Sequence, residues 1–407
     1  MTSTLTTQTT AYWKPAAEGE LEYWVPKAQA AAAELAQDVL ARDAANQEPF
    51  AEVEILRKHD LITAIIPSEF GGGGAAFSTV FEIVRELAKV DGSIAQLFAY
   101  HSVNVAGIGV FGDEETTARL WRKIADEQAL VGDAVNPTDP HLNLRQVGEN
   151  LLLNGTKRFA TGAGVGEYIF VLGVLADGPN TGIGQAALVG REQAGVKHHG
   201  DWNALGQRLS SSGSVTFEDV ELGADALVGL DKGTAWQALI APLIQLAFVN
   251  FYLGIAEGAL EKGKTLINQR QNAWFLAKAE RYNQDHIFQR LVGELHARTV
   301  AVAALTEKVN GILDATLATG RALTLEARSE LEVQIAQAKV VSSDVATDVT
   351  NRVFEFTGSS SAKPETGLDL YWRNVRTHSL HDPVDYKKIE VGAHFLLGEY
   401  QPISLYT

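Results

Sequence analysis

The segment RNVRTHSLHDPVDYK, residues 373–387, holds two arginines, two histidines, two aspartates and a lysine around one proline. His378 and His381 are three residues apart, as are Arg373 and Arg376, so on a helix each pair shares a face. Imidazoles titrate near neutrality and can give or take protons. Guanidinium groups make bidentate contacts to anions such as sulfinates. Pro383 ends or kinks the helix and leaves His381 and Asp382 at its C-terminal end, where the helix dipole favours a charged imidazole. The same residues would serve equally well as a cationic helix cap with a surface ion pair.

Three other stretches carry groups of interest. YHSVN, residues 100–104, puts His101 in an otherwise apolar helix, where a histidine is either a proton-handling group or a hydrogen-bonded core residue. LNGTKRFATGAG, residues 153–164, reads as a hairpin with a tight turn at Asn154–Gly155, after which Lys157, Phe159 and Thr161 alternate onto one face of the next strand. The small residues that follow would let a flat ligand approach the backbone, and an ordinary hairpin would look the same. EFGGGG, residues 69–74, lacks both the ending of a phosphate loop and the strand–glycine–helix order of a dinucleotide fingerprint, so it reads as a structural turn. No spacing of histidines and carboxylates suits a metal, and the paired histidines of KHHG belong to a polar loop.

These groups must be positioned by three kinds of element. Residues 1–20 open with MTSTLTTQTT and read as a flexible tail. Residues 21–129 carry apolar positions at three- and four-residue spacing, a helical domain with a break at Asp91–Gly92. Residues 130–232 are short apolar or alternating runs between glycine turns, a β domain. Residues 233–394 return to long amphipathic segments, an antiparallel four-helix bundle, and 395–407 form a C-terminal tail. The expected fold class is mainly α with a central β domain.

Composition narrows the function classes. A net charge of −16 argues against nucleic acid or an anionic membrane as the main partner. No run reaches the roughly 18 consecutive apolar residues of a membrane helix, and the polar start lacks the parts of a secretory signal, so the expected location is the cytoplasm. There is no cysteine and Met1 is the only methionine, which excludes disulfides, thiolate catalysis and cysteine-bound zinc. Such a composition is either drift or the frugality of a protein made when sulfur is scarce.

Together the segments resemble the acyl-CoA dehydrogenase superfamily over nearly the whole chain. IPSEFGG is similar to its early helix-to-loop motif, LNGTKRFATGA to its flavin-contacting hairpin, and LGIAEGAL…INQR to its first bundle helix. YWRNVR takes the place of its C-terminal arginine–aspartate motif. A finer resemblance, to the dibenzothiophene S-monooxygenase branch, lies in YH..N, GDWNALG, APLIQLAFVNFYLGIAEGAL and YWRNVRTHSLHDPV.YK. The resemblance implies an N-terminal helical domain, a β-barrel-like domain, a C-terminal four-helix bundle and a homotetramer. It also implies reduced FMN, supplied by a separate NAD(P)H-dependent flavin reductase. It puts His101, His378 and His381 among the catalytic groups, with Thr161 where the branch has a serine near the flavin N5 and the activated oxygen. Lys157, Phe159 and Gly162 fall on the flavin-facing hairpin, and Arg270 matches an arginine that reaches the flavin phosphate of a neighbouring subunit. Asp133 stands where the branch has an asparagine near the flavin. TGSSSA, residues 357–362, lacks an arginine that helps hold the phosphate and leaves Ser359, Ser360 and Ser361 as donors. Arg373 is expected beside the cofactor, and Tyr100, Arg376 and His381 beside the substrate.

The implied activity is a two-component monooxygenase that uses reduced FMN and O2 to oxygenate a small organosulfur compound. The arginine pair and the sulfur-poor composition favour methanesulfinate, oxidised to methanesulfonate, over a sulfone or a dibenzothiophene-type substrate. The alternative is an FAD-dependent acyl-CoA dehydrogenase, which needs a carboxylate base where this chain has His381, Asp382 and Pro383.

Overall fold

The computed structural model describes residues 11–407. Six helices come first: α1 (Glu20–Leu35), α2 (Val39–Ala45), α3 (Phe50–Lys58), α4 (Phe77–Ala88), α5 (Gly92–Phe111) and α6 (Glu114–Glu127). The break before α5 is a helix cap: the Asp91 carboxylate accepts from the backbone N–H of Ser93 and Ile94, both at 3.1 Å, and from Arg42 at 3.0 Å. All 20 residues of α5 are buried, so no side of this helix faces solvent.

Eight strands follow: β1 (Val131–Ala134), β2 (Leu142–Val147), β3 (Asn150–Lys157), β4 (Tyr168–Leu175), β5 (Gly184–Gly190), β6 (Val196–His198), β7 (Val215–Leu222) and β8 (Leu227–Leu230). They form one mixed sheet in the order β6-β7-β3-β2-β4-β5-β8, with β1 also beside β4. Among the described residues β6 and β8 are the edges of this order. The Asn154–Gly155 turn is corrected. The β2–β3 turn lies at Gly148–Glu149, and Asn154–Gly155 sits inside β3 where the register against β7 shifts. Asn154 Nδ2 donates to the Asp219 carboxylate and its Oδ1 accepts the Asp219 N–H, each at 2.9 Å, so the Asn-Gly pair marks a bulge.

The bundle consists of α7 (Ile240–Asn268), α8 (His286–Leu317), α9 (Leu325–Thr357) and a last position shared by α10 (Asp369–His378) and α11 (Val384–Leu397). One hydrophobic core runs through the N-terminal helices and the bundle, and a second lies within the sheet. Helices α5 and α7 are long and apolar enough to cross a membrane, which the reading of the sequence missed, yet their apolar windows are 100% and 83% buried inside the protein. The tails also differ from expectation. Residues 1–10 lie outside the described residues, but Tyr12 and Trp13 are buried edge-on against Trp121 and Phe77. At the other end, α11 extends to Leu397 and the Thr407 carbonyl accepts from Arg328. Large aromatics without helical or strand periodicity carry no pattern to betray their burial.

Candidate active site

A cavity of about 490 Å³ opens where the N-terminal helices, the sheet loops and the bundle meet. Tyr100 and Asn104 line it from α5, Asp133 from β1, Phe159 and Thr161 from the loop after β3, and Trp202, Gln207 and Ser212 from the loop before β7. The end of α10 contributes His378 and His381, and the C-terminal stretch contributes Leu405 and Tyr406. No arginine or lysine is on its wall among the described residues.

The two histidines share one aromatic box. Their rings stack 5.7 Å apart at 11°, with Phe248 edge-on to both at 4.5 and 4.9 Å. His378 Nδ1 meets the Tyr252 hydroxyl at 2.8 Å, while its Nε2 is buried without a partner. Burial, aided by His381 and Lys339, holds the His378 pKa well below the usual imidazole value. His381 Nδ1 lies 3.1 Å from the Asp382 carboxylate, and Lys339 Nζ donates to both Asp382 oxygens at 2.6 Å. Burial alone would raise the Asp382 pKa; His381 and Lys339 more than offset it and keep the group ionised. Burial lowers the Lys339 pKa to about 8 against the opposing pull of Asp382. Because an ionised carboxylate only accepts, the proton in the His381–Asp382 contact is on Nδ1, which leaves Nε2 free to take one up.

Across the cavity, Thr161 and Asp133 are both buried. Burial pushes the Asp133 carboxyl up to about 8, with only a backbone contact to Thr161 opposing it. Thr161 Oγ1 is 2.9 Å from Ser212 Oγ, Ser212 Oγ is 2.7 Å from Ser210 Oγ, and Ser210 Oγ donates to the Gln207 carbonyl at 2.8 Å. Phe159 adopts a left-handed φ of 57°, which turns its ring out, 58% exposed, over the rim beside Trp202. The expected alternation of Lys157, Phe159 and Thr161 on one strand face therefore fails, because β3 ends at Lys157 and the chain reverses at Phe159.

Seven expected site residues stand apart from the cavity wall. His101 is fully buried, with Nε2 2.7 Å from the Ile62 carbonyl and Nδ1 accepting the Val131 N–H at 2.9 Å. Both ring nitrogens thus meet backbone groups, and burial lowers its pKa to about 4, so in this structure it staples α5 to β1. Lys157 Nζ donates to the Asn136 carbonyl at 2.7 Å. Gly162, at φ 74°, donates its N–H to the Ser211 carbonyl at 2.9 Å, and a Cβ there would come within 2.9 Å of Leu97. Arg373 is tied to Asp43 at 2.7 Å, to Asp369 at 2.9 Å and to the Leu205 carbonyl at 2.9 Å. Arg376 is exposed and reaches only Ser379, at 3.4 Å. Arg270 stacks on Tyr282 at 4.6 Å and donates to Ser360, so these two expected phosphate groups meet each other.

Three contributions escaped the reading of the sequence. The serine run of QRLSSSG has no periodicity and matches no motif, Lys339 sits mid-helix as any solvated lysine might, and Tyr406 lies in a presumed tail. The serine loop is held by α10: the Gly206 N–H donates to Thr377 and the Gln207 N–H to Asn374, each at 2.8 Å. A Cβ at Gly206 would fall 2.1 Å from the Arg373 carbonyl, so only glycine permits this docking.

The chain is similar to known proteins over most of its length. The acyl-CoA dehydrogenase N-terminal domain matches residues 27–128 and the C-terminal domain residues 246–386. The chain is 36% identical over 380 residues to dibenzothiophene monooxygenase of Rhodococcus qingshengii, covering 90% of this chain and 91% of that protein. It is 35% identical to the probable FMNH2-dependent monooxygenase SfnC of Pseudomonas putida, covering 92% and 95%. Methanesulfinate monooxygenase MsuC of Pseudomonas fluorescens superposes with a TM-score of 0.90 at 32% identity, over 94% of this chain and 99% of that one. FMN-bound TdsC of Paenibacillus sp. A11-2 gives 0.90 at 33% identity with the same coverage.

Proposed function

The chain belongs to the acyl-CoA dehydrogenase family and is a flavin-dependent monooxygenase of the dibenzothiophene monooxygenase type; on that premise we propose that its cavity takes reduced FMN and oxygenates a small neutral organosulfur compound. The residues present fit a flavin ring: Phe159 is held over the rim, Thr161 and Asp133 offer polar atoms, and the buried His378 Nε2 awaits a partner. Reduced FMN supplies the electrons that activate O2. His381 handles the proton at Nε2, oriented by Asp382 and Lys339 in the manner of a carboxylate-anchored general base. His378 stays neutral beside it. The buried apolar walls around these groups strengthen each polar contact by excluding water.

The cavity wall carries the substrate reading. A sulfinate needs a cation, yet the arginines expected to supply one are engaged elsewhere, Arg373 with Asp43 and Arg376 at the surface. A sulfone or thiophene-type molecule needs none. Likeness to MsuC favours methanesulfinate as the second reading. The acyl-CoA dehydrogenase alternative loses its base, because Asp382 is committed to Lys339 and His381.

No cation on the wall could hold the FMN phosphate; Arg270 and Ser360, which meet each other within the chain, would hold it from a neighbouring subunit of a homotetramer. The exposed apolar run Trp274, Phe275 and Leu276 follows Arg270 closely and suits burial between subunits. A separate NAD(P)H-dependent reductase delivers the reduced FMN. To test the substrate, the enzyme is supplied with reduced FMN and O2 and offered dimethyl sulfone, dibenzothiophene or methanesulfinate, with oxygenated product read by mass spectrometry. Product from a neutral compound is expected, falling about 100-fold or more in His381→Ala. Product from methanesulfinate alone would overturn the neutral-substrate reading.

A further inference from the structure

Strand β1 has four residues, Val-Gly-Asp-Ala, and alternation decides where each side chain goes. Ala134 belongs to the core within the sheet and Val131 to the core shared by the helices. Asp133 is on the same face as Val131, the face turned toward the helices, and its carboxyl lies on the cavity wall. The backbone holds it there. Asp133 pairs in parallel with Phe170 of β4, and its N–H donates to the Thr161 carbonyl at 2.9 Å. A Cβ at the preceding Gly132 would fall 2.4 Å from the Gly162 backbone, so the strand and the turn after β3 are in direct contact.

This position offers an ionised carboxylate little. Asp133 is 5% exposed, and among the described residues no cation pairs with it. The titratable groups on the same cavity are Tyr100 on α5, His378 and His381 at the end of α10, and Tyr406. Burial raises both tyrosine hydroxyls above their ordinary value, so neither supplies a charge. Lys339 stands behind Asp382 and is off the wall. Solvation of an ionised Asp133 is therefore left to water in the cavity, and a ligand that fills the cavity displaces it. Either the carboxyl keeps its proton or the ligand stays out.

We propose that Asp133 makes the binding of FMN proton-linked: the flavin fills the cavity only while the Asp133 carboxyl is protonated, and at alkaline pH its binding takes up one proton. This rests on the reading that FMN occupies the cavity. Burial already pushes the carboxyl up to about 8. Below that pH it is protonated and binding is unaffected. Above it the competent fraction of the enzyme, and with it the apparent affinity, falls toward tenfold per pH unit. The asparagine that the resemblance leads one to expect at this position sets no such limit.

The test titrates reduced FMN anaerobically into the full-length enzyme by calorimetry at pH 7, 8 and 9. Pairs of buffers that differ in heat of ionisation give both the affinity and the number of protons taken up. Wild type is expected to bind about tenfold more weakly at pH 9 than at pH 7, and to take up about one proton at pH 9. Asp133→Asn should lose that tenfold and that proton. The FMN phosphate, the flavin ring, the histidines and Lys339 titrate alike in both proteins, so the difference between them belongs to Asp133. An equal fall in affinity in Asp133→Asn, or no more proton uptake in wild type than in the variant, overturns the proposal while leaving FMN in the cavity. The infrared carbonyl band of a protonated carboxyl needs no variant: it should appear when FMN is added to wild type at pH 9, and its failure to appear also overturns the proposal. Failure of wild type to bind FMN at any of these pH values overturns the FMN reading and the proposal with it.

Discussion

Asp133 behaves as the chemical equivalent of an amide. Burial holds its carboxyl protonated up to about pH 8, so at neutrality it carries one O–H donor and one carbonyl acceptor, the pattern of the asparagine that the resemblance leads one to expect. The sign of its effect on stability follows. The folded pKa is raised above the unfolded value near 4, so the unfolded chain releases this proton first as the pH rises. The stabilising contribution is complete below about pH 4 and is lost progressively up to about pH 8, at most about 1.4 kcal/mol per pH unit. Asp133→Asn removes that loss. Thermal melts at pH 5, 7 and 8.5 should show the variant gaining on wild type step by step. A melting difference independent of pH would mean that Asp133 is ionised in the folded protein.

At the scale of elements, α10 is a clamp whose arginine faces the fold and not a ligand. Arg373 joins it to α2 through Asp43, itself only 7% exposed, and to the serine loop through the Leu205 carbonyl. Removing one partner of a largely buried ion pair strands the other, at a cost of about 2–4 kcal/mol. Arg373→Ala should therefore lower the unfolding midpoint in urea by that amount, whereas the exposed Arg376→Ala should leave it unchanged. If instead Arg373→Ala kept its stability and raised KM, a ligand-binding role would be restored. The helices themselves were legible in the sequence because apolar periodicity is a local signal, and the break at Asp91–Gly92 was readable, though not that Asp91 caps the helix that follows. The Asn154–Gly155 bulge was not, since the same dipeptide serves a turn or a bulge and only the pairing with Asp219 decides. His378 and His381 were legible as a pair, but the spending of His101, Arg373 and Arg270 on other protein groups depends on partners up to 330 residues away.

For the whole molecule, the proposed assembly of several copies rests on exposed apolar surface. Trp274, Phe275 and Leu276 are 58%, 78% and 74% exposed in the connection between α7 and α8, and Phe395, Leu396 and Leu397 crowd the end of α11. Patches of this kind are uncommon on a lone globular protein. If 274–276 is buried between subunits, Phe275→Glu should reduce the mass in light scattering from a tetramer to a smaller species and weaken FMN binding, because Arg270 lies just before it in the chain. An undiminished mass would remove this segment from the interface.

The cavity draws its walls from positions as distant as Gln96 and Tyr406, with Thr161, Gln207 and His378 between them. Contacts of such wide sequence separation close late in folding, after local helices and hairpins have formed. Retention of FMN during refolding would then be a clock for the final step, lagging behind the recovery of helical circular dichroism.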